Sequence, residues 1–357
     1  MRVRRRQPRM LPATVRVQSQ WNCRATLRGL SSCAVRQRRR VHGASHPDPP
    51  NGSHVSDRLD YSPIVDRPII KWPNNARVAF WVSPNVMFYD YLPPLDALRN
   101  PWPRSPHPDV RSYAHQDYGN RVGFWRMLET LDKHAMPCTA SLNVAVLQHF
   151  PEIRKAMVDR NWNYMSHGIY NTRFIWSFTE EQERAFYKDI VDTVHELTGK
   201  RVIGTLGPGP QSATARTPDL LAEAGFLYHA DWFHDDQPYP IKVKQGRLIS
   251  LPYTLDISDS PVIGTGPGAA WEGDDFGEMI KRQFDVLYEE GAESGRVMCI
   301  SLHAYLIAQP HRARYLDQAL SYVLSHDGVW KTTAEDIAHY YMKHYYDEVI
   351  AHRPQEQ

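Results

Sequence analysis

Short apolar runs that end on a polar residue recur along the chain, and amphipathic stretches separate most of them. Seven runs have the length and composition of buried β-strands, and they span 78–84, 138–143, 163–167, 202–206, 226–231, 247–252 and 297–303, with a shorter run at 328–331. Parallel strands that are buried on both faces have nearly unbroken apolar sequences, and helical crossovers connect them. The alternation of strands and helices therefore predicts an α/β fold with a parallel sheet.

Helical spacing of apolar residues and capping signals predict the helices between these strands. Thr179 and Gln182 form a capping box, and Gly199 follows the last apolar position of the same stretch. Thr217 is the predicted cap of another helix, with Pro218 at its first position and Gly225 at its end. Further helices are predicted over 123–134, 276–290, 314–324 and 332–346, and Thr332 with Glu335 marks the start of the last one.

The beginning of the chain differs from the rest in its charge. Residues 1–47 contain twelve Arg and no Lys, Asp or Glu, which leaves 30 basic and 40 acidic side chains, a net charge of about −10, for the remainder. We predict that residues 1–58 are a disordered leader and linker and that the folded body spans 60–348. Because this body is acidic, we expect no nucleic-acid partner.

Targeting and redox signals favour a reducing compartment. The leader lacks the 7–15-residue apolar segment of a secretory signal, and no run approaches the roughly 18 apolar residues of a membrane helix. The four cysteines form no CxxC pattern. The chain is therefore predicted to be cytoplasmic and to have no membrane partner, or to be mitochondrial if the source is a eukaryote, since the leader resembles a transit peptide in composition.

Several of the predicted strands end at residues that can bind a substrate or move a proton. Asn85 follows the first of these strands, and His167, Asp231 and His303 are the last residues of three others. In a barrel of parallel strands these ends meet at the face that carries the active site. Because an imidazole titrates near neutral pH, we expect His303 to act as the general acid or base. Asp231 is the candidate carboxylate for fixing its tautomer.

Other residues near the strand ends are candidates for substrate binding. Asn171 is a poor zinc ligand, but its amide can donate a hydrogen bond. Pro208 lies in a Gly-Pro loop where the backbone can approach a ligand, and Trp232 either walls the pocket or belongs to the core. Arg121 either binds a carbonyl or carboxylate or is solvated. The Pro-rich segment 92–108 is long enough to be a lid.

Together these segments resemble the polysaccharide deacetylase superfamily, the group with the NodB homology domain, over residues 65–345. The matching stretches are Val78–Asn85, Met165–Arg173, Leu206–Pro210, Asp231–Tyr239 and Ser301–Arg312. The sequence is most similar to the subgroup of metal-independent allantoinases and cyclic imide hydrolases, which form homo-oligomers. The resemblance implies a distorted (β/α)7 barrel that hydrolyses amide-type C–N bonds of a small-molecule substrate.

The resemblance also implies a loss of metal ligands. In the deacetylases the first motif ends in two aspartates and the second motif supplies two histidines. This chain has Asn85 and Val86 at the first motif, whereas His167 matches one histidine of the second and Asn171 replaces the other. His303 falls on the catalytic histidine of the family. We therefore expect no cofactor, and a zinc ion would have to find other ligands.

The loss of a metal removes several kcal/mol of charge stabilisation, which favours an activated cyclic imide or ureide over an unactivated acetamide. In this hypothesis Asp231 orients His303, and the polar groups of Asn85, Asn171 and His167 donate to the developing oxyanion. Two alternatives stay open. One is a metal-dependent deacetylase with ligands rearranged among His167, His303 and Asp231, and the other is a catalytically silent binding domain.

Overall fold

Nine strands in the described part of the chain form one curled sheet. The structure is a computed structural model that describes residues 58–94, 108–208, 213–263 and 271–352. The predicted leader, apart from its last residue, and most of the candidate lid 92–108 lie outside these ranges. The strands are β1 Val78–Val86, β2 Thr139–Leu142, β3 Asn163–Ser166, β4 Gly204–Thr205, β5 Tyr228–His229, β6 Tyr239–Ile241, β7 Leu248–Ser250, β8 Arg296–His303 and β9 Val329–Lys331.

The order of the strands follows the chain almost throughout. It runs β6-β7-β5-β4-β3-β2-β1-β8, and β9 pairs with the first residues of β1. Every pair is parallel except β6 with β7. All seven predicted strands and the shorter eighth are confirmed. β6 is not among the predicted strands, because Pro240 is its central residue and proline is tolerated only at a sheet edge such as this one.

Contacts between β8 and the chain around β6 and β7 bring the two ends of the sheet together. The amide of Val297 donates to the carbonyl oxygen of Asp236 over 2.8 Å. Ser301 forms an isolated parallel bridge with Ser258, which lies beyond β7. The predicted distorted barrel is therefore confirmed, with a curled sheet whose two ends are joined by few hydrogen bonds, made by residues next to β6 and β7 and not by these strands themselves.

Helices cover the outside of the sheet and close one end. They are α1 Val110–Tyr118, α2 Phe124–Lys133, α3 Ala145–His149, α4 Pro151–Asp159, α5 Glu180–Thr198, α6 Thr217–Glu223, α7 Asp259–Ile263, α8 Gly273–Glu290, α9 Ala313–Leu324, α10 Ala334–His344 and α11 Tyr346–Ala351. A π-helical turn, Gly119–Gly123, joins α1 to α2. Within the described ranges, no helix has both the length and the apolar character needed to cross a bilayer.

The starts of α2, α5, α6 and α9 agree with the sequence to within one residue, whereas α8 begins at Gly273 and not at 276, and the predicted helix 332–346 begins at Ala334 and divides into α10 and α11. Thr179 and Gln182 form the predicted capping box of α5. Thr217 is the first residue of α6, not its cap, so this prediction is one residue out. In α10 the hydroxyl of Thr333, not that of Thr332, accepts the hydrogen bond from the first turn. Two adjacent threonines offer equivalent hydroxyl groups, and the sequence does not distinguish them.

Alternate residues of each strand face opposite sides of the sheet. On β1, Phe80 packs in the cluster between the sheet and the helices. Trp81 belongs to the inner cluster together with Cys299 of β8. Towards the carboxyl ends, the same inward-facing positions become polar, at Asn85 on β1 and His303 on β8. The sheet therefore presents polar side chains at one end of an otherwise apolar interior.

The opposite end of the barrel holds a buried carboxyl group. Glu335 of α10 accepts hydrogen bonds from the Thr139 hydroxyl over 2.6 Å and from the Tyr228 hydroxyl over 3.1 Å. Burial raises the pKa of Glu335 from its ordinary value of 4.5 to about 7, although these hydrogen bonds act in the opposite direction. Because the charged form is costly to bury, this carboxyl group makes stability depend on pH.

We predict that, as the pH rises from about 5 to about 8, the free energy of unfolding falls less in Glu335→Gln than in the unmodified protein. Folding raises this pKa, so the group's contribution to the free energy of unfolding is complete below the unfolded pKa and is lost as the pH rises through the folded value. The difference is on the order of 2 kcal/mol. Urea unfolding of both proteins at the two pH values measures it.

Glu196→Gln is the matched control, because Glu196 is exposed on α5. It should lose stability with pH to the same extent as the unmodified protein. An identical pH dependence in E335Q and in the unmodified protein would show that the buried carboxyl group contributes nothing to it.

Candidate active site

A cavity of about 430 Å³ lies at the carboxyl ends of the strands. The structure brings five of the predicted site residues into its lining: Asn85, His167, Asn171, Pro208 and His303. Asn85 and His303 are register partners on β1 and β8, and His167 directly follows β3. Three strand ends therefore deliver polar side chains to the same cavity.

A buried carboxylate holds His303, but it is not the predicted one. His303 Nδ1 lies 2.6 Å from Asp259 Oδ1, and the backbone amide of His303 donates to Asp259 Oδ2 over 2.7 Å. The side chain of Asp259 is fully buried. A carboxylate at this distance keeps the proton on Nδ1 and leaves the Nε2 lone pair free to accept a proton. The prediction that Asp231 orients His303 is therefore wrong.

Asp231 instead holds the loop behind the cavity. Its Oδ1 accepts a hydrogen bond from the Gly207 amide over 2.8 Å, and its Oδ2 lies 3.0 Å from His229 Nε2. The loop that Gly207 belongs to carries Pro208 into the cavity wall. Asp231 is thus one layer behind the lining, where it can position the wall but does not face a ligand.

Trp232 and Arg121 also lie away from the cavity lining. The indole N–H of Trp232 donates to His229 Nδ1 over 3.2 Å, and the ring packs against the core between sheet and helices. Arg121 lies in the π-helical turn, where its side chain is 72% exposed and pairs with Asp117. Of the alternatives raised from the sequence, the core tryptophan and the solvated arginine agree with these positions. The substrate-binding roles do not.

His167 is a neutral imidazole in this environment. Burial lowers its pKa to about 4, although the charge of Asp231 acts in the opposite direction. His167 Nε2 lies 3.1 Å from Asn171 Oδ1, so Nε2 carries the proton that the amide oxygen accepts. Nδ2 of Asn171 has no acceptor among the described residues. It can therefore donate to a ligand, as the sequence predicted for this side chain.

The amide of Asn85 has a fixed orientation. Its Nδ2 donates to Ser301 Oγ over 2.9 Å and to the Leu302 carbonyl oxygen over 3.2 Å. A carbonyl oxygen can only accept, so the nitrogen must be the atom that faces β8. Both amide protons are committed to these two partners. The prediction that Asn85 donates to an oxyanion is therefore wrong, and its Oδ1 can offer only an acceptor.

Two tyrosines that were not predicted from the sequence complete the wall. Tyr305 and Tyr253 line the cavity, and the Tyr305 ring lies 5.7 Å from the His303 ring. Burial raises the pKa of Tyr305 to about 12, so its hydroxyl stays protonated near neutral pH. Strand alternation could not have found Tyr305, because β8 ends at His303 and Tyr305 lies in the turn that follows. None of the described side chains that line the cavity is Lys, Arg, Asp or Glu.

The donor atoms around the cavity do not fit the zinc ion of the deacetylases. A protein zinc site requires at least three nitrogen, sulfur or oxygen ligands. His167 and His303 each keep one ring nitrogen unprotonated, because Asn171 accepts the Nε2 proton of the first and Asp259 the Nδ1 proton of the second, but two imidazoles are fewer ligands than a zinc site needs. Over the described ranges of the chain, no group of three or more His, Cys, Asp and Glu side chains could hold a metal ion.

Comparison with known proteins identifies relatives over most of the folded body. No protein-family model matches the chain. A protein of Schizosaccharomyces pombe named "Putative polysaccharide deacetylase" is 28% identical over 301 residues, which are 75% of this chain and 91% of that protein. The similarity extends over nearly the whole relative, so it concerns the entire barrel.

Solved structures extend the same relationship. The "probable Polysaccharide deacetylase" of Pseudomonas aeruginosa PAO1 is 30% identical over 78% of this chain and 95% of that one, with a TM-score of 0.67. A structure of "Puue Allantoinase" is 29% identical over 81% of this chain and 100% of that one, with a TM-score of 0.68. The chain therefore belongs to the polysaccharide deacetylase superfamily, and it is a hydrolase of carbon–nitrogen amide bonds.

Proposed function

We propose that this hydrolase opens a small cyclic imide or ureide and that it does so without a bound metal ion. One observation carries the proposal: a histidine held by a buried carboxylate faces a cavity whose described lining offers neither charged side chains nor a set of zinc ligands. The similarity to an allantoinase over the full length of that protein supports the same substrate class.

The His303–Asp259 pair supplies the proton transfers. The proton on Nδ1 is held by Asp259, so the Nε2 lone pair removes a proton from a water molecule as its oxygen attacks the substrate carbonyl carbon. The buried carboxylate stabilises the imidazolium that forms. When the C–N bond of the ring breaks, Nε2 returns the proton to the leaving nitrogen, and the products are a carboxylate and an amide or urea within one opened molecule.

The oxyanion of the tetrahedral intermediate needs hydrogen-bond donors. Asn171 offers Nδ2, because its oxygen is occupied by His167. A single well-placed donor contributes about 3–4 kcal/mol to the transition state, which is modest beside the charge stabilisation that a metal ion supplies. The site therefore suits a carbonyl that is already activated, as in an imide, better than an unactivated acetamide.

The cavity has room for a small ring, and its lining bears on the charge of the substrate. About 430 Å³ accommodates one small ring with short substituents. With only uncharged side chains in its described lining, an anionic substrate would lose its hydration without gaining a counter-ion. We therefore infer a neutral substrate. Assembly into a homo-oligomer and the absence of a nucleic-acid partner stay predictions.

We predict that chelation leaves the activity unchanged. The purified protein should open a cyclic imide at the same rate before and after dialysis against EDTA, and its zinc content should be far below one ion per chain. A zinc-dependent deacetylase treated in parallel is the control. Loss of turnover on chelation together with recovery on adding zinc would favour the metal-dependent alternative, and binding of imides without turnover would favour the silent domain.

We predict that Asp259→Asn lowers kcat/KM by about 10²- to 10⁴-fold, because the amide no longer stabilises the imidazolium and favours the wrong tautomer. His303→Ala should cause a loss of at least similar size. Asp231→Asn is the matched control, since its amide oxygen can still accept from Gly207. It should keep kcat within about tenfold. A larger loss in D231N than in D259N would contradict the assignment of the carboxylate.

A further inference from the structure

The amide of Asn85 is locked by a network on β8. Ser301 Oγ accepts from Asn85 Nδ2 over 2.9 Å and from the Ser258 hydroxyl over 3.3 Å, and it shares a short hydrogen bond with the Tyr253 hydroxyl. Two accepted hydrogen bonds and one donated bond exhaust the capacity of a hydroxyl group. Ser301 is therefore saturated, and rotating the Asn85 amide would break its bonds to both Ser301 and Leu302.

Asn85 Oδ1 is left as the polar atom that a ligand can reach. Asn85 lines the cavity, and the hydrogen bonds of its side chain to Ser301 and Leu302 both use Nδ2 and not this oxygen. The residue is only 5% exposed. An acceptor in such a position favours a ligand that brings a proton and disfavours one that brings a second lone pair.

The position of this acceptor matches one atom of an imide. Asn85 and His303 are register partners on neighbouring parallel strands, which lie about 4.8 Å apart. In a cyclic imide or ureide the attacked carbonyl carbon is bonded directly to a ring N–H. One small ring can therefore place its carbonyl at the water that His303 activates and its N–H at Asn85.

We propose that Asn85 Oδ1 determines specificity by accepting the hydrogen bond of the N–H next to the attacked carbonyl, so that the substrate class is the N–H-bearing imide or ureide. This inference rests on the proposed function. A substrate methylated at that nitrogen loses the hydrogen bond and leaves Oδ1 buried without a partner. A site built to bond a substrate N–H rejects such an analogue by at least about 100-fold.

The test compares matched substrates, succinimide with N-methylsuccinimide and hydantoin with 3-methylhydantoin, in the full-length protein. We expect kcat/KM to favour the N–H member of each pair by at least about 100-fold. In Asn85→Leu, which removes the acceptor, turnover of the N–H substrate should fall and the preference should shrink to within about tenfold. A purely structural role for Asn85 would lower both members equally and keep the preference.

Asn163→Leu is the matched control. Asn163 lies at the start of β3, at the other end of the barrel, where its amide donates to Thr333. This variant should keep the preference for the N–H substrate whatever its effect on stability. The comparison in the unmodified protein needs no variant, so it tests the inference even if N85L fails to fold.

Each result has one meaning. Equal turnover of the methylated and unmethylated members overturns the inference and leaves the proposed function standing. An undiminished preference in folded N85L overturns it as well, because another group must then recognise the N–H. If no imide or ureide is opened at all, the proposed function fails and the role of Asn85 fails with it.

Discussion

The hydrogen bond between His303 and a fully buried Asp259 is the interaction on which the site depends. A carboxylate without solvent is costly unless it is hydrogen-bonded, and here one oxygen meets the imidazole while the other meets the His303 amide. The sheet creates this arrangement. The bridge between Ser258 and Ser301 brings the start of α7 beside β8, and the pairing of β1 with β8 places Asn85 next to the imidazole.

The sequence predicted the fold and the inward-facing half of the site for the same reason. Long apolar strands can be recognised from the sequence, and in a parallel barrel the residues at their carboxyl ends are neighbours. Asn85, His167 and His303 all fall on the inward face. The prediction that Asp231 orients His303 is wrong because Ala230 belongs to the inner cluster, so the next residue lies on the other face of the strand. Counting inward and outward positions along β5 would have excluded it.

Other features of the site could not be predicted from the sequence. Asp259 follows a stretch of irregular structure, where no periodicity says which way a side chain points. The hydrogen-bonding state of Asn85 depends on Ser301 and Leu302, which are more than two hundred positions away. Only the register between β1 and β8 decides that its nitrogen is used and its oxygen is not. Hydrogen bonds between residues so far apart in the sequence can be assigned only from the folded structure.

The tautomer of His303 tests the central claim most directly. Nitrogen-15 NMR of the histidine-labelled protein distinguishes a ring protonated at Nδ1 from one protonated at Nε2, and H303A assigns the signal. We expect the neutral His303 ring of the unmodified protein to be the Nδ1–H tautomer. D259N should lose this tautomer or mix it with the Nε2–H form, and D231N should retain it. A proton on Nε2, or a tautomer that does not respond to D259N, would contradict a base oriented by Asp259.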